Sequence, residues 1–92
     1  MANAIITLKI MPISPNVDLT KLEMQVKDKI KTFSGETQTK TEIEPIAFGL
    51  NALKIIFVMD ESRGSTEPLE KEIETIKNVN SVTVTDVRRA LG

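Results

Sequence analysis

Glu44-Pro45-Ile46-Ala47-Phe48-Gly49-Leu50-Asn51-Ala52-Leu53 lies near the middle of the chain, and its reading sets the reading of the rest. A proline and a glycine bracket a lone phenylalanine between two strand-like runs. Pro45 fixes its own φ and lacks an N–H donor, so Glu44-Pro45 is expected to end or bend a strand. Gly49 supplies backbone that can turn sharply. The stretch therefore reads as a hairpin, with Phe48 near the tip, where a large apolar ring serves a partner better than a core. The sequence has three aromatic residues, all Phe, so one spent at a turn calls for a function.

Before the hairpin, Thr37 to Ile43 alternates threonine with polar and charged residues. This is a strand pattern of low apolar content, suited to an exposed edge. After it, Leu53, Ile55, Phe57 and Met59 recur with period two and predict a central strand. A helix is expected on either side of this pair. Asp18 fits an N-cap, and Leu19, Leu22, Val26, Ile30 and Phe33 follow at spacings of three and four, with Ser34-Gly35 as the stop. Asp60 to Ser65 reads as a polar loop. Thr66 then fits a second cap, with Pro68 in the first turn, Leu69, Ile73 and Ile76 as the buried stripe and Asn78 at the close. At the ends, Ile6, Leu8 and Ile10 alternate in a first strand, stopped by Pro12 and Pro15, and Val82 and Val84 alternate in a last one. The order is β-α-β-β-α-β. Right-handed crossovers make this an α+β, ferredoxin-like sandwich: a four-stranded antiparallel sheet with both helices on one face.

Ninety-two residues suit one domain spanning 1–92, with a single modest core. With no cysteine, disulfides and thiolate chemistry are excluded, and with no histidine the commonest general base and metal ligand is missing. Twelve basic residues against thirteen acidic ones give a net charge of −1, unlike the basic surface on which nucleic-acid affinity rests. Met1-Ala2-Asn3-Ala4 has no basic n-region ahead of a long apolar run, so no signal peptide is expected, and no apolar run approaches a membrane span. A cytoplasmic protein without membrane or direct nucleic-acid contact is the expectation.

Little in the chain suggests catalysis. Glu42 and Glu44 share a strand face, but neighbouring carboxylates on a polar edge strand are ordinarily just solvated. The loop Pro12-Ile13-Ser14-Pro15-Asn16 lacks the basic residues and glycine of a phosphate cradle. A sheet-face RNA reader needs aromatic platforms, whereas Phe57 is in phase with the core residues of its strand. Asp60-Glu61-Ser62 fits no EF-hand spacing. No catalytic residue, metal ligand or cofactor is assigned. The fold class also hosts small-molecule-binding regulatory domains, and that alternative stays open. The ending Thr85-Asp86-Val87-Arg88-Arg89-Ala90-Leu91-Gly92 reads either as a frayed terminus with two solvated arginines or as an insertion element. In the second case, Phe48 and this tail form a two-part protein contact, an apolar anchor and a charged tip.

These residues carry a resemblance. Lys9-Ile10-Met11-Pro12 with Ser14-Pro15 and Val17-Asp18-Leu19, the Glu44–Leu50 block with Ala52-Leu53, and Val84-Thr85-Asp86-Val87-Arg88-Arg89 together are similar to the archaeal elongation factor 1-beta family over essentially the whole chain. These are guanine-nucleotide exchange factors for the GTPase elongation factor 1-alpha. The resemblance implies the same βαββαβ fold, nucleotide exchange without covalent chemistry, and elongation factor 1-alpha as partner. It implies that Phe48, in a loop shaped by Pro45 and Gly49, contacts the partner, and that the end bearing Asp86, Arg88 and Arg89 reaches toward the GTPase's magnesium and phosphates. Eukaryotic relatives carry a lysine near their last residue that perturbs the magnesium, and an extra N-terminal region. Here the lysine's place falls at Gly92, so Arg88 or Arg89 would have to supply the charge.

Overall fold

The first strand, β1 (Asn3–Pro12), buries Ala4, Ile6, Leu8 and Ile10 on one face, as its period-two pattern requires. The computed structural model describes residues 3–35 and 38–90. Helix α1 (Leu19–Ser34) follows, and the Asp18 carboxylate accepts from the backbone N–H groups of Thr20 and Lys21 at 3.0 and 3.3 Å. Gly35 closes it at φ +79°, a conformation that favours glycine. Strands β2 (Thr39–Pro45) and β3 (Asn51–Asp60) form the hairpin, and β2 does end on Pro45. The expected start of β2 at Thr37 lies outside the described residues. Helix α2 (Glu67–Glu74) and strand β4 (Val79–Ala90) complete the βαββαβ order.

The sheet is antiparallel with strand order β2-β3-β1-β4, so β3 is central and β2 is an edge, as expected. Leu22, Val26 and Ile30 of α1 and Leu69 and Ile73 of α2 join Ile6, Leu8, Ile10, Leu53, Ile55 and Phe57 in one core. Both helices therefore cover the same sheet face. Phe57 is fully buried, which assigns that ring to packing. The other face is open and carries Lys9, Glu42, Glu44 and Lys54.

Three expectations need correction. First, the tail is ordered as strand over residues 85–90: β4 continues through Ala90, paired with β1 as far as Asn3. Thr7 pairs with Asp86 and Leu8 with Val84, which leaves Thr85 as a bulge between them. The bulge reverses the alternation. Val82 and Val84 face the helices, but beyond Thr85 that face belongs to Val87 and Arg89, and Asp86 and Arg88 lie on the open face. Second, α2 stops at Glu74 rather than running to Asn78. The Thr75 hydroxyl donates to the Glu72 carbonyl at 2.6 Å, ending the helix, while Ile76 still packs on the core. Third, Thr66 holds the N-cap position, but its side chain accepts from no backbone N–H. Its hydroxyl donates to the Glu70 carboxylate at 2.9 Å, and Ser65 Oγ accepts from the Glu67 N–H instead. The loop expected at Asp60–Ser65 contains a 3-10 turn, Glu61–Arg63, capped by the Asp60 carboxylate.

Candidate functional site

The hairpin tip is a tight turn. Leu50 N–H donates to the Ala47 carbonyl at 3.2 Å, and Ile46 N–H to the Leu50 carbonyl at 2.7 Å. Its two central residues both have positive φ, +60° at Phe48 and +77° at Gly49, the pattern of a type I′ turn. Asn-Gly or Gly-Gly suits such a turn. Here an aromatic residue occupies the first position, in a left-handed conformation that costs about 1–2 kcal/mol for an L-residue. The ring gains nothing from packing in return, since Phe48 is 96% exposed. A strained, solvent-facing phenylalanine points to a role outside the fold.

Lys9 Nζ of β1 lies 3.7 Å from the Glu44 carboxylate of β2 on the open face, with β3 between them. This ties the stem of the hairpin to the sheet beside Pro45. Ala52, opposite Glu44, is fully buried although it lies on the open face. Glu42 faces Lys40 at 3.6 Å and Lys54 across the strand pair. The two glutamates are thus members of a solvated charge ladder.

At the other end of the sheet, Arg88 Nε donates to Asp86 Oδ2 at 2.8 Å on the open face. Arg89 Nε donates to Glu61 Oε1 at 2.8 Å on the helix face. Both arginine side chains remain mostly exposed. A cleft of about 540 Å³ opens here, between Ala4, Met59, Gly64, Val87 and the Glu61–Arg89 pair. Two further hollows, of about 470 and 390 Å³, flank the Lys29–Glu72 ion pair between the helices. Among the described residues no group of His, Cys, Asp or Glu could hold a metal ion, and no helix is long and apolar enough to cross a membrane.

The sequence-predicted residues thus fall into two groups that the fold keeps apart. Pro45, Phe48 and Gly49 cap the β2–β3 end, whereas Asp86, Arg88 and Arg89 sit where β4 pairs with the start of β1. Eight residue steps of β3 separate Asn51 from Met59, which is about 26 Å at 3.3 Å per residue, before the hairpin tip is added. The molecule's longest dimension is 42 Å. Exposed Ile13, whose N–H donates to the Asn78 carbonyl at 3.0 Å, and exposed Ile43 also lie toward the Phe48 end. Neither was singled out from sequence. Ile43 fits an edge strand, and Ile13 sits in a proline-rich loop that shows no period.

Residues 5–90 match the family model described as the EF-1 guanine nucleotide exchange domain. The chain belongs to this family. It is 40% identical over 91 residues to the elongation factor 1-beta of Methanothermobacter thermautotrophicus, covering 99% of this chain and 100% of that protein. It is 42% identical to the elongation factor 1-beta of Methanosphaera stadtmanae with the same coverage, and 38% identical to that of Staphylothermus marinus over 97% of this chain and 98% of the relative. Among solved structures, the de novo designed protein Foldit4 superposes with a TM-score of 0.61 at 16% identity, covering 98% of both chains. LarC2, the C-terminal domain of a cyclometallase, gives 0.64 at 11% identity over 99% of this chain and 58% of that one. At such identities these two structures speak to the fold alone.

Proposed function

We propose that this exchange-domain protein promotes replacement of GDP by GTP on elongation factor 1-alpha, acting in the cytoplasm as part of translation elongation. The carrying observation is the family match over nearly the whole chain, joined to a phenylalanine held exposed at positive φ in the Pro45–Gly49 turn. Phe48 acts as an apolar anchor on the GTPase, and Asp86, Arg88 and Arg89 engage it at the far end of the sheet.

The mechanism is differential binding. The protein binds the GTPase with an open nucleotide site more tightly than the closed, loaded form. By linkage, the factor by which it weakens the hold on GDP equals the factor by which GDP weakens its own binding. It therefore speeds exchange without choosing a direction, and the more abundant nucleotide refills the site. It makes or breaks no covalent bond. Nucleotide and Mg²⁺ belong to the partner. An arginine brought near the partner's Mg²⁺ raises that ion's energy by like-charge repulsion, strongly where water is excluded. Arg88 and Arg89 are the candidates. Gly92, the position matching the relatives' lysine, lies outside the described residues.

The test is release of a fluorescent GDP analogue from elongation factor 1-alpha into excess unlabelled nucleotide. The expected result is acceleration that rises with concentration of this protein and saturates. A folded protein and an active GTPase with no acceleration would discard the proposal. Direct binding of an amino acid or nucleotide, with no effect on the GTPase, would establish a ligand-binding regulatory domain instead.

A further inference from the structure

We infer that Glu61 is a positioning residue for Arg89, fixing its guanidinium so that the exchange factor meets its partner with a preset cation. The inference rests on the exchange reading above and adds a residue which that reading does not use. Glu61 belongs to the 3-10 turn after β3, and Arg89 lies near the end of β4, with β1 between those two strands. The contact joins residues 28 apart in sequence. It can cross β1 because the position there, opposite both Met59 and Arg89, is Ala4. A larger side chain at Ala4 would fill the cleft under the ion pair.

The geometry of the contact favours positioning over simple neutralisation. It is made through Nε at 2.8 Å. An Nε contact occupies one edge of the planar guanidinium and leaves the Nη end for a second acceptor. The Glu61 side chain is 34% exposed and the Arg89 side chain 67%, so the carboxylate is the better anchored member. A free arginine side chain carries considerable rotamer entropy, part of which is lost each time it binds. Fixing it beforehand moves that loss out of the binding step. Exposed ion pairs add little to folding, so a purely structural role predicts little effect anywhere.

The experiment measures GDP-analogue release from elongation factor 1-alpha across a concentration series of wild type, Glu61→Ala, Glu61→Gln, Arg89→Ala and the Glu61→Ala/Arg89→Ala double variant. Glu61→Ala is expected to raise the concentration needed for half-maximal acceleration about two- to ten-fold, the usual cost of immobilising one rotamer-rich side chain at an interface, with the maximal rate unchanged. Glu61→Gln keeps an oxygen that accepts from Nε and is expected to recover most of the loss. In the Arg89→Ala background, Glu61→Ala should add nothing. Wild-type behaviour of Glu61→Ala, or an equal loss with and without Arg89, overturns the inference while leaving the exchange reading intact. Absence of acceleration by wild type overturns the exchange reading itself.

Discussion

Removing the Phe48 ring separates folding from function. Phe48 is 96% exposed, so Phe48→Ala deletes almost no packing and should change stability by less than about 0.5 kcal/mol. Phe48→Asn should do more. Asparagine tolerates the left-handed region, and relief of part of the penalty at φ +60° is expected to stabilise by about 0.5–1 kcal/mol. For a domain of this size that is a rise in Tm of about 2–8 °C. On the partner the balance reverses. Full burial of a phenylalanine contributes about 1.5–3 kcal/mol, so both variants should need about ten- to a hundred-fold more protein for half-maximal GDP release. Thermal denaturation of the three proteins and their release titrations supply both readouts. A fall in Tm of several degrees for Phe48→Ala would mean that the ring packs on its own fold. An unchanged titration would mean that the strain at this turn serves something other than the GTPase. Either result refutes the reasoning.

Deleting Thr85 removes the bulge but keeps the other register partners, Val84 opposite Leu8 and Asp86 opposite Thr7, so Asp86 and Arg88 stay on the open face; stimulation of GDP release is expected to stay within about twofold of wild type while far-UV circular dichroism stays native-like. Gly49→Ala places a Cβ where it meets no atom within 4 Å, so its cost is conformational alone, and urea unfolding should show a loss of about 1 kcal/mol from φ +77°. The Lys27 ammonium 2.6 Å from Glu23 holds that carboxyl below its ordinary value of 4.5, helped by the Thr41 hydroxyl and opposed by partial burial. A lowered folded value makes the ionised form stabilising above the ordinary value. The advantage of wild type over Glu23→Gln, about 0.5–1 kcal/mol near neutrality, should therefore be lost as pH falls through the lowered value, and a pH series of urea titrations reads it directly.

Much of this architecture is written locally. The alternation in β1 and β3 and the three-four spacing in α1 each arise from one element burying one face, so a short window carries the signal. Asp18 and Pro45 act within their own turns and were legible for that reason. Beyond Thr85 the pattern fails twice over. Asp86, Arg88 and Arg89 are polar and Val87 is exposed, so the apolar alternation stops, and a bulge shifts their phase. Glycine at position 49 announces a turn, but the positive φ of the preceding phenylalanine is imposed by the turn type and leaves no mark of its own. The Glu61–Arg89 pair depends on the order of strands in the sheet, so no spacing in the sequence encodes it. Hence the two candidate regions were readable as residues, while their separation to opposite ends, and the ties that brace each one, emerged from the fold.

That separation changes what kind of binder the protein would be. If both regions engage the GTPase as proposed, two contacts about 26 Å apart on one stiff sheet would behave as a bidentate ligand. Once one end has landed, the other is presented at an effective concentration set by the sheet, not by the solution. Neither end needs high affinity, and each can let go while its counterpart keeps hold. In the proposed cycle, where the factor leaves its partner each time nucleotide returns, a divided grip would give fast capture and stepwise release from the same short scaffold.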